Sequence, residues 1–143
     1  MDKYDCLKLD RQLCFPMYAC AKEIQRIYKP YLDEINLTYT QYVAMMVLWE
    51  EREATLKHIG DRLVLDSGTL TPLFKKLEEK GFVFRLKDKS DDRNLIIRIT
   101  DKGLALRDKA INIPKCISEN IELSQEEAYN LYITLNKLLK QFR

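Results

Sequence analysis

The stretch TLKHIGDRLVLDSGTLTPLFKKLEEKG, Thr55 to Gly81, decides the fold. Thr55 can cap a short first helix, Leu56 to Leu63, because its hydroxyl accepts from the free N–H groups of a first turn. Asp66 or Ser67 can cap a second helix, Gly68 to Lys80, which Gly81 ends. In that second helix Leu70, Leu73, Phe74 and Leu77 fall at steps of three and four and predict one buried face. Thr69, Pro72, Lys75 and Lys76 fall on the other side. Two helices of this size, joined by Val64-Leu65-Asp66, read as a helix-turn-helix whose second member enters a major groove.

Directly downstream, Phe82-Val83-Phe84-Arg85-Leu86 and Leu95-Ile96-Ile97-Arg98-Ile99-Thr100 are rich in β-branched and aromatic residues. They flank the polar run Lys87 to Asn94, so the spacing predicts a two-stranded hairpin with a long charged loop. A bare hairpin is marginal, so it should pack on the helix-turn-helix and make a winged unit. The charged loop reads equally as a solvated surface or as a nucleic-acid contact, because between Ser67 and Arg93 seven basic residues only slightly outnumber five acidic ones.

Upstream, Leu13, Met17, Cys20, Ile24, Ile27 and Tyr31 form one face of an amphipathic helix. Pro16 limits where that helix begins, and Pro30 predicts an irregularity at Lys29. Thr38 or Thr40 caps the next helix, through Tyr42, Val43, Met46, Val47 and Trp49, which is apolar over most of its circumference and is expected at the centre of the core. Downstream of the wing, a helix starts near Asp101 and is kinked or divided by Pro114. Ser124 and Glu127 make a capping box for a last helix. Its stripe of Ala128, Leu131, Leu135, Leu138 and Phe142 suggests, with the stripe of the first helix, that the two ends of the chain pair with a second subunit.

The expected fold is therefore mainly α with a small β-hairpin wing: one domain over 1–143, a winged helix-turn-helix at about 55–100, and dimerisation helices at about 9–35 and 101–143. At 143 residues, 46% hydrophobic and 32% charged, the chain suits one globular domain with a respectable core. A net charge of +2 means that any contact with nucleic acid comes from local clustering. No apolar run approaches a membrane span, and Met1-Asp2-Lys3-Tyr4-Asp5 lacks the order of a signal peptide, so a cytoplasmic protein without membrane contact is expected.

The four cysteines, Cys6, Cys14, Cys20 and Cys116, show no CxxC pair and no histidine at metal-ligand spacing, so no metal or other cofactor is expected. In a reducing compartment they are thiols at rest. Cys14 lies just ahead of Pro16, close to a helix start, where free N–H groups and the macrodipole favour an anion and make a thiol more reactive. The competing reading of Cys14 is a small buried hydrophobe. Six of the eight tyrosines lie in the first third of the chain, as packing at an interface or as phenols that donate to a thiolate. Solitary His58 reads as a surface or capping side chain.

The order of elements resembles the MarR family of dimeric winged-helix regulators. Leu65 to Leu73 looks like that family's recognition-helix start, Asp91-Asp92-Arg93 matches its Asp-x-Arg wing signature, and Thr100-Asp101-Lys102-Gly103 resembles its turn out of the wing. Leu13-Cys14-Phe15 and Leu37 to Tyr42 look like the organic hydroperoxide repressors and related thiol-based regulators, although Pro16 departs from the small residue of that pattern. The resemblance implies that Cys14 senses peroxide, that Tyr28 and Tyr39 engage it from the partner subunit, and that Cys116 or a small cellular thiol resolves its oxidised form.

For function, the resemblance implies a homodimeric repressor on a pseudo-palindromic double-stranded DNA operator, not an enzyme. Ser67, Thr69, Thr71, Pro72, Lys75 and Lys76 would face the major groove, with Arg93 in the minor groove oriented by Asp91. Two rival readings keep or replace that input. One is a regulator answering a small aromatic ligand held near the tyrosines, Met17 and Met46. The other is a thiol peroxidase with Cys14 as nucleophile, for which no base lies near in the sequence.

Overall fold

The computed structural model describes residues 1–91 and 93–142. Two single 3-10 turns, Asp5–Leu7 and Leu9–Arg11, lead into α1 (Cys14–Asp33). Helix α1 opens on Cys14 itself, with Pro16 as its third residue. The first N–H groups of any helix lack an intrahelical partner, so a proline there forfeits no bond. Pro30 behaves otherwise than expected, because α1 runs through it to Asp33. One lost bond is outweighed by burial just beyond it: Leu32, Ile35 and Leu37 all enter the core. The turn closes with Leu37 N–H donating to the Leu32 carbonyl at 3.1 Å and with Asn36 left-handed at φ 56.

Helix α2 (Tyr39–Glu51) begins on a complete capping box. The Gln41 N–H donates to Thr38 Oγ1 at 3.3 Å, and the Thr38 N–H donates to Gln41 Oε1 at 3.1 Å. It is the central helix, with Tyr42, Ala44, Met45, Val47 and Leu48 buried. Strand β1 (Glu53–Thr55) then leads into α3 (Leu56–Leu63) and α4 (Ser67–Glu79), capped by Thr55 and Asp66 respectively. The α3–α4 turn is tight. Val64 is left-handed at φ 56, and a Cβ on Gly60 would lie 2.7 Å from the Leu65 carbonyl oxygen, so only glycine fits there.

Strands β2 (Val83–Lys87) and β3 (Leu95–Ile99) form the expected hairpin, but the sheet has three strands. Strand β3 is central, antiparallel to both β1 and β2, with Ala54 and Arg85 both opposite Ile97. The wing is thus clamped at its base by the segment that feeds α3. Helix α5 (Asp101–Ala110) is capped by Thr100, α6 (Ile113–Glu119) starts beside Pro114 as a separate helix, and α7 (Gln125–Leu139) carries the Ser124–Glu127 capping box. A 3-10 turn, Lys140–Phe142, ends the described chain.

The core joins α2 to the winged unit, and its largest fully buried side chains are Phe74, Met45, Leu48, Ile59, Leu70, Leu77, Ile97 and Val83. Helix α7 takes no part in it. None of its side chains is buried, and Leu131, Ile133, Leu135, Leu139 and then Phe142 lie exposed. Leu13, Phe15, Tyr18 and Ile24 of the α1 region are exposed as well. The stripe of α7 and the first half of the α1 stripe therefore do not cover the core of their own chain, whereas Ile27 and Tyr31 further along α1 pack against it.

Candidate functional site

Helix α4 buries Leu70, Leu73, Phe74 and Leu77, which leaves Ser67, Thr69, Thr71, Pro72, Lys75 and Lys76 together on its solvent face. The Thr69 N–H donates to Asp66 Oδ1 at 2.7 Å, and this bond holds the Asp66 carboxyl below the usual aspartate range. Thr71 Oγ1 donates to the Ser67 carbonyl at 2.8 Å, so its hydroxyl can meet a base edge only as an acceptor.

In the wing loop, Asp91 hydrogen-bonds Arg93. Its Oδ1 accepts from the Arg93 backbone N–H at 3.0 Å and from Nε at 3.2 Å, while the Arg93 side chain stays 90% exposed. Asp92, between them in the motif, lies outside the described residues. A cleft of about 360 Å³ separates the wing from the start of α4, and Lys57, Ser67, Arg93 and Asn94 line it. Lys57 was not singled out from the sequence; its place on α3 opposite the wing becomes apparent only in three dimensions.

On the other side of the core, Tyr28 of α1 meets Tyr39 of α2 edge-on, with ring centroids 5.0 Å apart. Tyr42 lies behind both, at 5.8 and 6.3 Å, and touches Trp49, whose Nε1 donates to the Gly103 carbonyl at 2.9 Å. Burial raises the phenol pKa of Tyr28 and of Tyr39, helped at Tyr28 by Tyr39, and pushes that of Tyr42 up to about 12. At neutral pH all three are protonated and can donate.

Cys14 does not reach this cluster within one chain. Cys14 is exposed at the opposite end of α1, and fourteen residues of helix place it about 21 Å from Tyr28 along the axis. Cys116 is partly buried on α6, where Asn120 Nδ2 donates both to the Cys116 carbonyl at 2.7 Å and to the Tyr31 hydroxyl at 3.2 Å. Tyr31 lies about 25 Å along α1 from Cys14. A disulfide needs Cα atoms within about 7 Å, so Cys14 and Cys116 of one chain cannot bridge as they stand. Cys6 and Cys20 are exposed.

His58 is a surface side chain, its Nε2 paired with Glu51 at 2.9 Å. The cleft beside Tyr39, about 370 Å³, is lined by Lys22, Arg26, Lys29, Leu37 and Thr38 among others; Met17 and Met46 are not in its lining. Among the described residues no cluster of histidine, cysteine and carboxylate side chains could hold a metal, and no helix is long and apolar enough to cross a membrane.

A capped helix-turn-helix with an outward helix face, braced by a wing that presents an arginine, defines a winged-helix DNA-binding transcriptional regulator. The chain belongs to the SarA/Rot family of transcriptional regulators, whose model matches residues 26–110. It is 42% identical over 139 residues to the organic hydroperoxide resistance transcriptional regulator of Bacillus subtilis, covering 97% of this chain and 95% of that one. It is 42% identical over 133 residues to the regulator SarZ of Staphylococcus saprophyticus, covering 93% and 91%. Its fold matches AbfR of Staphylococcus epidermidis in the structure of the reduced protein bound to DNA, with a TM-score of 0.79, 35% identity and 99% and 98% of the two chains covered. Against the disulfide form of AbfR the TM-score is 0.65, at 36% identity and 96% coverage of each chain. The chain is a transcriptional regulator and not an enzyme.

Proposed function

We propose that the chain acts in the cytoplasm as a homodimeric repressor that holds a pseudo-palindromic duplex operator while Cys14 is reduced and leaves it when an organic hydroperoxide oxidises Cys14. Residues 55–100 form the reading lobe, and 9–35 with 101–143 form the dimerisation helices. Phosphate contacts from Lys75, Lys76 and Lys57 give most of the affinity, while Thr69, Thr71 and Pro72 select sequence in the major groove. Arg93 enters the minor groove in the orientation Asp91 gives it.

The observation that carries the sensing half is the Tyr28–Tyr39 pair. It offers two protonated donors, and the partner subunit's Cys14 is the thiol that can occupy it. Hydrogen bonds from both phenols favour the thiolate. The thiolate sulfur attacks one peroxide oxygen, the O–O bond breaks, and the alkoxide leaves and is protonated to an alcohol. The sulfenic acid left on Cys14 then condenses with a second thiol, losing water to give a disulfide. Cys116 of the other subunit or a small cellular thiol fills that role. The poorer match to the disulfide form of AbfR than to its reduced, DNA-bound form supports disulfide formation as the step that changes shape. A modest change of tilt between the two lobes alters half-site spacing and ends simultaneous docking.

The test is an operator-binding assay at fixed salt with and without cumene hydroperoxide. Cys14→Ser should bind as well as wild type and stay bound after treatment, and normal release by that variant would sink the sensing half. A non-reducing gel of the treated wild type, run beside Cys116→Ser, separates the two resolving thiols: a linked dimer lost in the variant assigns Cys116.

A further inference from the structure

We infer that Lys80 is a positioning residue that ties the start of α2, where the Tyr39 phenol sits, to the end of the recognition helix α4, so that a shift at the phenol pair swings α4. The inference rests on the sensing reading above and adds the part that carries the signal.

Lys80 is the C-cap residue of α4. Its Nζ donates to the Asn36 carbonyl at 2.7 Å and to Gln41 Oε1 at 2.9 Å. Both acceptors belong to the α1–α2 junction. Gln41 Oε1 is also the acceptor that closes the capping box on Thr38, one residue before Tyr39. Gln41 is only 4% exposed and, among the described residues, is the buried polar residue. A buried amide oxygen shared between a helix cap and an ammonium cannot follow one partner without straining the other, because leaving it unpaired costs the desolvation of the group. Asn36 is held left-handed at the same junction, so that anchor is a tight turn.

The far side of the α4 terminus is held just as firmly. Lys102 Nζ of α5 donates to the Lys80 carbonyl at 2.9 Å, Thr100 Oγ1 donates to the Gly81 carbonyl at 2.6 Å, and Glu78 pairs with Arg85 of β2. The C-terminus of α4 is therefore a pivot fixed to the wing and α5, with Lys80 as its link to the phenol side. The thirteen residues of α4 span about 20 Å, so a tilt of about ten degrees at the pivot moves Ser67 by roughly 3 Å, enough to lose hydrogen-bond contact with a base.

Amide hydrogen exchange on the full-length protein tests this, with cumene hydroperoxide as the oxidant and no operator needed. In wild type, oxidation should change exchange at residues 36–41 and also at the Lys80, Gly81 and Phe82 amides, which bond the last carbonyls of α4. In Lys80→Met, which keeps the aliphatic stem but not the donors, residues 36–41 should still respond. Exchange at Lys80, Gly81 and Phe82 should then fall short of its wild-type change by roughly tenfold, as expected for loss of a charge-assisted hydrogen bond. Lys80→Arg, which restores a cation over the same oxygens, should recover the response. If Lys80→Met passes the change to Lys80, Gly81 and Phe82 undiminished, the link is overturned while sensing stands. If wild type responds at neither segment, or Cys14→Ser responds like wild type, the sensing reading falls and the link falls with it.

Discussion

Arg93 shows how one side chain can be held ready without being buried. Its backbone N–H and Nε both donate to Asp91, which fixes the direction of a guanidinium that solvent otherwise surrounds. An exposed pair of this kind adds little to stability, so its value lies in orientation. Arg93→Ala should leave thermal stability near wild type, weaken operator binding by roughly tenfold or more, and make the salt dependence shallower by about one in log–log slope. Fluorescence anisotropy across a salt series measures both. At this scale the sequence was readable where partners lie close in the chain: the Thr38, Thr55, Asp66 and Ser124 caps each bond three residues ahead. Lys80 was not readable, because its acceptors lie 44 and 39 residues away.

At the scale of elements, the period of three and four named the buried face of α4 residue by residue, because a recognition helix has one wet side and one dry side. Strand β1 was missed, since three residues, Glu-Ala-Thr, carry no alternation to detect. Pro30 misled in the opposite sense: a local penalty was visible, and the burial of Leu32 that overrides it was not. The start of α4 also carries a pH dependence of defined sign. The Asp66 carboxyl titrates below its ordinary value in the folded chain, so the stability it contributes is full above that ordinary value and is lost as pH falls through the lower, folded one. Amide exchange at Thr69 should therefore lose protection on acidification in that range while the buried Phe74 turn holds, and equal loss at both would argue against Asp66 as the cause.

At the scale of the whole molecule, the chain devotes α7 and the start of α1 to surfaces that it does not itself cover. Helix α7 and the start of α1 are amphipathic in sequence yet wet in the single chain, which is why their stripes were legible as helices while their partner was legible only by inference. The proposed thiol site follows the same division, with Cys14 at the start of α1 and Tyr28, packed against Tyr39 of α2, about 21 Å further along that helix.

That separation along α1 makes the proposed sensor divisible by genetics. A protomer carrying Cys14→Ser still offers tyrosines, and a protomer carrying Tyr28→Phe with Tyr39→Phe still offers a cysteine. Mixed dimers of the two hold one wholly intact site beside one that lacks everything. Co-expression with different affinity tags, purification through both tags, and an operator-release assay should show peroxide-dependent release at the wild-type rate from that one site, whereas each parent homodimer responds slowly or not at all. A mixed dimer no better than its parents would place cysteine and phenols in the same subunit.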